Sequence, residues 1–133
     1  MVMNRVLIAV LVFFGSLSTW AQTGNVVDLV KESIKAGSAK ELAKHLNTSV
    51  DVTIDGKPET YSRAQAEFVL RDFFKANPPS EFNIIHQGQS KGGQPFAIGQ
   101  YKSRGNAFRV WMKIKVSGNQ SLVQEISFTS IKE

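Results

Sequence analysis

Residues 108–116, FRVWMKIKV, alternate along their whole length. Phe108, Val110, Met112, Ile114 and Val116 are apolar; Arg109, Trp111, Lys113 and Lys115 stand between them. Successive side chains of a strand point to opposite faces. The pattern therefore predicts a strand with one buried face and a second face of three cations and an indole. Residues 50–54 set Val50, Val52 and Ile54 against Asp51 and Thr53, and Asp55-Gly56 after them is a tight-turn signal. Residues 57–61 then return as a short hairpin arm. Four long strands are expected over residues 81–89, 96–103, 107–116 and 121–131, separated by glycine-bearing segments. In the last of them Leu122, Ile126 and Phe128 are expected on one face. Gly99 inside its strand predicts a bulge or a close backbone approach.

Helical spacing appears three times. Val26, Leu29, Val30 and Ile34 recur at intervals of three and four after Asn25, a capping residue, with Asp28 in the first turn. Gly37 ends that helix. Ser38 and Glu41 make a capping-box pattern for a short second helix with the stripe Leu42, Ala43 and Leu46 and Asn47 as its stop. Ser62 caps a third, with Ala66, Val69, Leu70, Phe73 and Phe74 on its buried face and Asn77-Pro78-Pro79 at its end. The order α-α-β-α-β-β-β-β describes an α+β fold, with helices on one face of an antiparallel meander.

The first residues read differently. Met1 to Arg5 carry one charge, residues 6–14 are continuously apolar, and residues 15–21 are small and polar apart from Trp20. This is the order of a secretory signal peptide, with cleavage expected between Ala21 and Gln22. The apolar run is far shorter than the roughly 20 residues that span a bilayer, so no stable membrane insertion is expected after cleavage. The expected domains are residues 1–21 as leader and 22–133 as one domain. The chain has no cysteine, which excludes disulfides, thiolate metal sites and a lipid anchor on cysteine. An exported chain of this kind fits a bacterial periplasm. Without Arg5 the balance is fifteen cationic against eleven acidic side chains, or +4. The cations are scattered, whereas nucleic-acid binding needs a concentrated basic stripe, so no nucleic-acid partner is expected.

The segments AKELAKHL, VDVTIDG, AEFVLRDFFKANPP, FNIIHQGQS, FAIGQY, FRVWMKIKV and LVQEISF, in this order, resemble the nuclear transport factor 2-like superfamily. FFKANPP followed by GQS-x-G-G-x-x-FAIGQY is similar to a family of small exported bacterial proteins known only as a domain of unknown function. The resemblance covers essentially all of residues 22–133. It implies a cone in which a curved sheet wraps around helices, with a cavity between them, and often a dimer through the outer sheet face. It implies no reaction, because this fold hosts enzymes, binding modules and scaffolds.

Enzymes of the superfamily place polar groups inside the cone, so His86, Tyr101 and Asp51 are the candidates for acid-base work. For each a structural role competes. His86 shares its strand with Phe82 and Ile84 on one face and Ile85 on the other, so its direction is open. Asp51 alternates away from the apolar side of its strand, and Asp55 is needed for its turn. His45 suits a helix C-terminus. Tyr101 is expected beside Trp111 on the outer face, with a place inside the cone as the alternative. No metal-ligand spacing, phosphate loop or cofactor motif is present. Phe108, Val110, Met112, Ile114 and Val116, with Phe68, Phe73 and Phe74, read as a filled core. If the cone is hollow, Phe73, Phe108, Val110 and Met112 are the residues expected to touch an apolar ligand. Tyr101, Arg109, Trp111 and Lys113 are expected to form an interface, with Glu125 alongside, because aromatics with arginine are typical interface anchors. The expectation is thus a non-catalytic, homodimeric binding module for a small apolar ligand or an envelope protein; an acid-base enzyme using His86 with Tyr101 or Asp51 is the alternative.

Overall fold

The computed structural model describes residues 22–132, with side chains from Val26 onward. The expected leader at residues 1–21 lies outside the described residues. The elements are α1 (Gln22–Lys35), α2 (Ala39–Ala43), β1 (Leu46–Ile54), β2 (Lys57–Ser62), α3 (Arg63–Ala76), β3 (Glu81–Gln89), β4 (Pro95–Ser103), β5 (Asn106–Ser117) and β6 (Gln120–Ile131). Among the described residues no helix is long and apolar enough to cross a membrane.

The six strands form one curved sheet in the order β2-β1-β6-β5-β4-β3. Strands β3 to β6 make the expected antiparallel meander. β1 departs from it, because it pairs parallel to β6, Asp51 opposite Glu125 and Val52 opposite Ile126. Alternation tells which face a residue takes but not which way the neighbouring strand runs, so this pairing was not expected. The turns Asp55-Gly56 and Arg104-Gly105 have positive φ at both residues, 49° and 83° in the first and 50° and 89° in the second. That is the conformation whose twist suits a two-residue hairpin.

Three helices cover one face. α3 starts with a complete capping box: Ser62 accepts from the Gln65 amide, and the Gln65 side chain accepts from the Ser62 amide. Such a cap stabilises by about 1 kcal/mol. At the other end Asn77 caps α3 through Phe73 O, and two prolines prevent continuation. The buried stripe of α3 is Ala66, Leu70, Phe73 and Phe74, with Val69 half-buried. Phe68 is 64% exposed beneath the Arg71 guanidinium, and so outside the core expected for it, since it sits two positions before Leu70 on a 3.6-residue helix. α1 buries Val26, Val27, Val30 and Ile34, while Leu29 is 43% exposed. α1 is already helical at Gln22, so Asn25 is interior, because a capping residue marks a possible start without forcing one. α2 is a single turn with Ser38 accepting from the Glu41 amide. Leu46 is fully buried but opens β1 rather than closing α2.

The helices meet Val50 and Val52 of β1, Phe82 of β3, Ala97 and Tyr101 of β4, Val110, Met112 and Ile114 of β5, and Val123, Ile126 and Phe128 of β6. Each large apolar side chain buried in this layer contributes about 1.5–3 kcal/mol. Two bulges set which residues take part. In β3, Ile84 faces Gly99 and His86 faces Ile98, leaving Ile85 unpaired. In β6, Glu125 faces Lys113 and Val123 faces Ile114, leaving Gln124 unpaired. A bulge inverts the parity of every residue beyond it. Val123 therefore joins Ile126 and Phe128 inside, and Leu122, expected there, stays only half-buried.

Candidate functional site

The two faces of the sheet divide the expected site residues. Tyr101 is fully buried on the inner face, opposite Phe108, and its ring contacts Phe73, Phe74 and Phe128. Its hydroxyl donates to the Asn77 carbonyl. Burial raises the phenol well above the usual tyrosine range, so it stays protonated. The expected place beside Trp111 is therefore wrong for Tyr101: it keeps phase with Ala97 and Gly99, which oppose Met112 and Val110 of the apolar face. It belongs neither to an outer interface nor to an open catalytic pocket.

His86 lies on the other face. The bulge at Ile85 turns it away from Phe82 and Ile84, so it stands exposed opposite Ile98, with its ring 5.6 Å from Phe96. Asp51 is also exposed on the outer face and accepts from Thr60 Oγ1 at 2.7 Å. Four strand spacings separate β1 from β3, about 19 Å at the usual spacing. Tyr101 is thus divided from both by the sheet, and His86 and Asp51 are divided from each other by its width. No shared point lies within hydrogen-bond reach of any two of them. His45 follows α2, half-buried, with its carbonyl accepting from the Val123 amide at 2.8 Å. Burial pushes its imidazole below the usual range, against the opposing pull of Glu41. Among the described residues no three His, Asp or Glu side chains gather as a metal site.

The expected ligand residues also divide. Val110 and Met112 have no exposed surface and are packed into the core, so they line nothing. Phe73 and Phe108 keep 6% exposure each and meet edge to face at 5.1 Å between ring centroids. They floor an open cavity of about 630 Å³ where β1 ends, β5 begins and α3 reaches its C-cap. Its rim is polar: Asp55, Asn77, Asn106, Ser130 and Lys132. Asp55 is held firmly. Its Oδ1 accepts from the Ser130 amide at 2.9 Å and its Oδ2 from the Ser130 hydroxyl at 3.0 Å. These two bonds hold its carboxyl below the usual carboxylate range, so it is ionised at neutral pH. The sequence signalled Asp55 only as a turn residue, since its partner lies 75 positions away. The lining thus mixes apolar and polar groups in comparable measure, with two aromatic side chains among them.

The outer face carries a second cluster. Trp111 stacks on Phe96 at 5.0 Å with 28° between the ring planes. Lys113 and Glu125 stand opposite each other, 3.8 Å apart, and Arg109 is exposed opposite Gln100 and Thr129. So Arg109, Trp111 and Lys113 do share one face, as expected, and Phe96 takes the place expected for Tyr101.

Comparison with known proteins follows the same lines. The family model described as a domain of unknown function, DUF4783, matches residues 27–129. A DUF4783 family protein from Bacteroides ovatus is 30% identical, with a TM-score of 0.73 over 79% of this chain and 94% of its own. One from Bacteroides uniformis is 27% identical, with a TM-score of 0.74 over 80% and 97%. An ntf2-like protein of unknown function from Shewanella baltica is 12% identical, with a TM-score of 0.65 over 88% and 100%, a likeness of fold alone. No functionally curated protein matches the sequence.

Proposed function

Given that the chain belongs to the DUF4783 family, with a nuclear transport factor 2-like fold, we propose that it is an exported, periplasmic, non-catalytic module that binds a small ligand at the open end of its sheet. The observation that carries this reading is the cavity floored by Phe73 and Phe108 and rimmed by Asp55, Asn77 and Ser130. It joins apolar surface to oriented polar groups, while His86, Asp51 and Tyr101 do not converge. Native mass spectrometry of residues 22–133, purified from the periplasm of its own host, tests it. Retained extra mass that Phe108→Asp abolishes supports the reading. A clean apo mass, with no change in Phe108 environment on adding hydrophobic extracts of the same cells, overturns it.

The outer face supports a second role, assembly with another copy. Phe96, Trp111 and Ile98 are half-buried there; Arg109 and Lys113 flank Trp111 along β5, and Glu125 and Asp51 follow on the neighbouring β6 and β1. Two such faces related by a twofold axis set the cationic side of each against the acidic side of its partner. Sedimentation equilibrium at micromolar concentration should show a dimer that Trp111→Glu converts to monomer. A monomer for the unaltered chain rules this assembly out.

A further inference from the structure

We propose that the cavity over Phe73 and Phe108 selects a ligand with a cationic amine, bound by Asp55, on an apolar body. This rests on the reading of that cavity as a binding site and gives it a ligand class. Asp55 lines the cavity, and the direction of its carboxylate is fixed by two hydrogen bonds from Ser130, which lines it too. An ionised carboxylate has about four lone-pair positions, so roughly two remain for a ligand after Ser130 is served. Among the described residues no Lys or Arg nitrogen lies within 4.0 Å of it. The charge is thus oriented, present at neutral pH and met by no cation among the described residues.

The floor favours the same class. Phe73 and Phe108 each keep a little exposed apolar surface at the cavity, which suits the apolar body of such a ligand and the methylene groups next to its ammonium. Asn77 is less available, since its carbonyl accepts from Tyr101 and its amide side chain donates to Phe73 O. Lys132 also reaches the rim and is exposed. It opposes a cationic ligand, but its ammonium sits on a flexible stem in solvent, where screening weakens the repulsion. The fixed carboxylate decides the sign.

Three probes with one apolar body separate the cases: octylammonium, octyl sulfate and octyl glucoside, each added to residues 22–133 at neutral pH below its micelle concentration. Binding is followed by amide shifts in two-dimensional NMR at Asp55, Phe108 and Ser130. Octylammonium is expected to bind roughly tenfold tighter than octyl sulfate, with the glucoside between them. Asp55→Asn should bring octylammonium to the level of the glucoside, and Lys132→Ala should widen the preference for the cation. Should Asp55→Asn not fold, raising ionic strength on the unaltered protein should shrink the preference toward unity. Equal binding of all three, or a preference for the sulfate, overturns the amine class and leaves the cavity a binding site. Failure of all three to shift any cavity amide overturns the binding reading beneath it.

Discussion

The Tyr101 hydroxyl donates to the backbone carbonyl of Asn77, the residue that caps the C-terminal end of α3. A side chain of β4 thus ties down the helix end that the prolines set, and with it the wall of the cavity that Asn77 lines. Tyr101→Phe keeps the ring packing and removes only the donor. The expected cost is about 1 kcal/mol, because a half-buried acceptor loses its partner. Urea denaturation should show a lower midpoint with an unchanged slope.

Asp55 gives the fold a pH dependence of known sign. Its carboxyl is held below the usual value in the folded protein, so the unfolded chain takes up the proton first as pH falls. The contribution is complete above the ordinary aspartate value of about 4 and is lost as pH drops through the lower, folded value. Asp55→Asn should be less stable than the unaltered protein at neutral pH, and the gap should close in acid. Thermal melts between about pH 6 and pH 2.5 read this directly. A constant gap over that range would contradict it.

Gly99 is required by space. A β-carbon there would come within 2.5 Å of Cε1 of the Phe82 ring and 3.0 Å of the Asn83 carbonyl. Phe82 is 2% exposed and wedged in the core, so it has little room to yield. Gly99→Ala should destabilise by about 1–3 kcal/mol through overpacking. Gly92→Ala, with open space around it, is the control and should be nearly neutral.

Met112 and His86 separate packing from surface. Met112 has no exposed area, and Met112→Ala should cost about 2–5 kcal/mol by leaving a cavity in the core. Ligand shifts at Asp55 and Phe108 should persist in this variant while it remains folded, since Met112 does not line the site. His86 is exposed on the opposite face, so His86→Ala should change stability by less than about 0.5 kcal/mol. It should leave those shifts unaltered.

Much of this molecule was legible in its sequence, and the failures share a cause. The alternation of β5 placed Phe108, Val110, Met112 and Ile114 inside and Arg109, Trp111 and Lys113 outside, because one period governs that stretch. The extent of β3 and the end of α3 at Asn77 followed from turn and proline chemistry. His86 and Leu122 were ambiguous or misplaced because a bulge shifts parity without a residue that announces it. Tyr101 was misplaced although its parity with Gly99 was plain, since the register between β4 and β5 was not in the pattern. The site depended on long-range pairs. Ser130 grips Asp55 across 75 positions, and the parallel pairing of β1 with β6 that brings them together has no local signature.

That pairing also decides when the molecule can form. Among the described strands β6 comes last in the chain, yet it stands inside the sheet between β1 and β5. A chain that ends before Gln120 holds the β1–β2 hairpin and the β3–β5 meander as two fragments with no strand in common. Each then has a strand edge of unpaired backbone groups, and the core lacks Val123, Ile126 and Phe128. Completion waits for a contact between distant parts of the chain, the kind of loop closure that slows folding. Until β6 is in place the sheet therefore stays in two parts, and loss of β6 is felt as loss of the whole sheet rather than of a single strand.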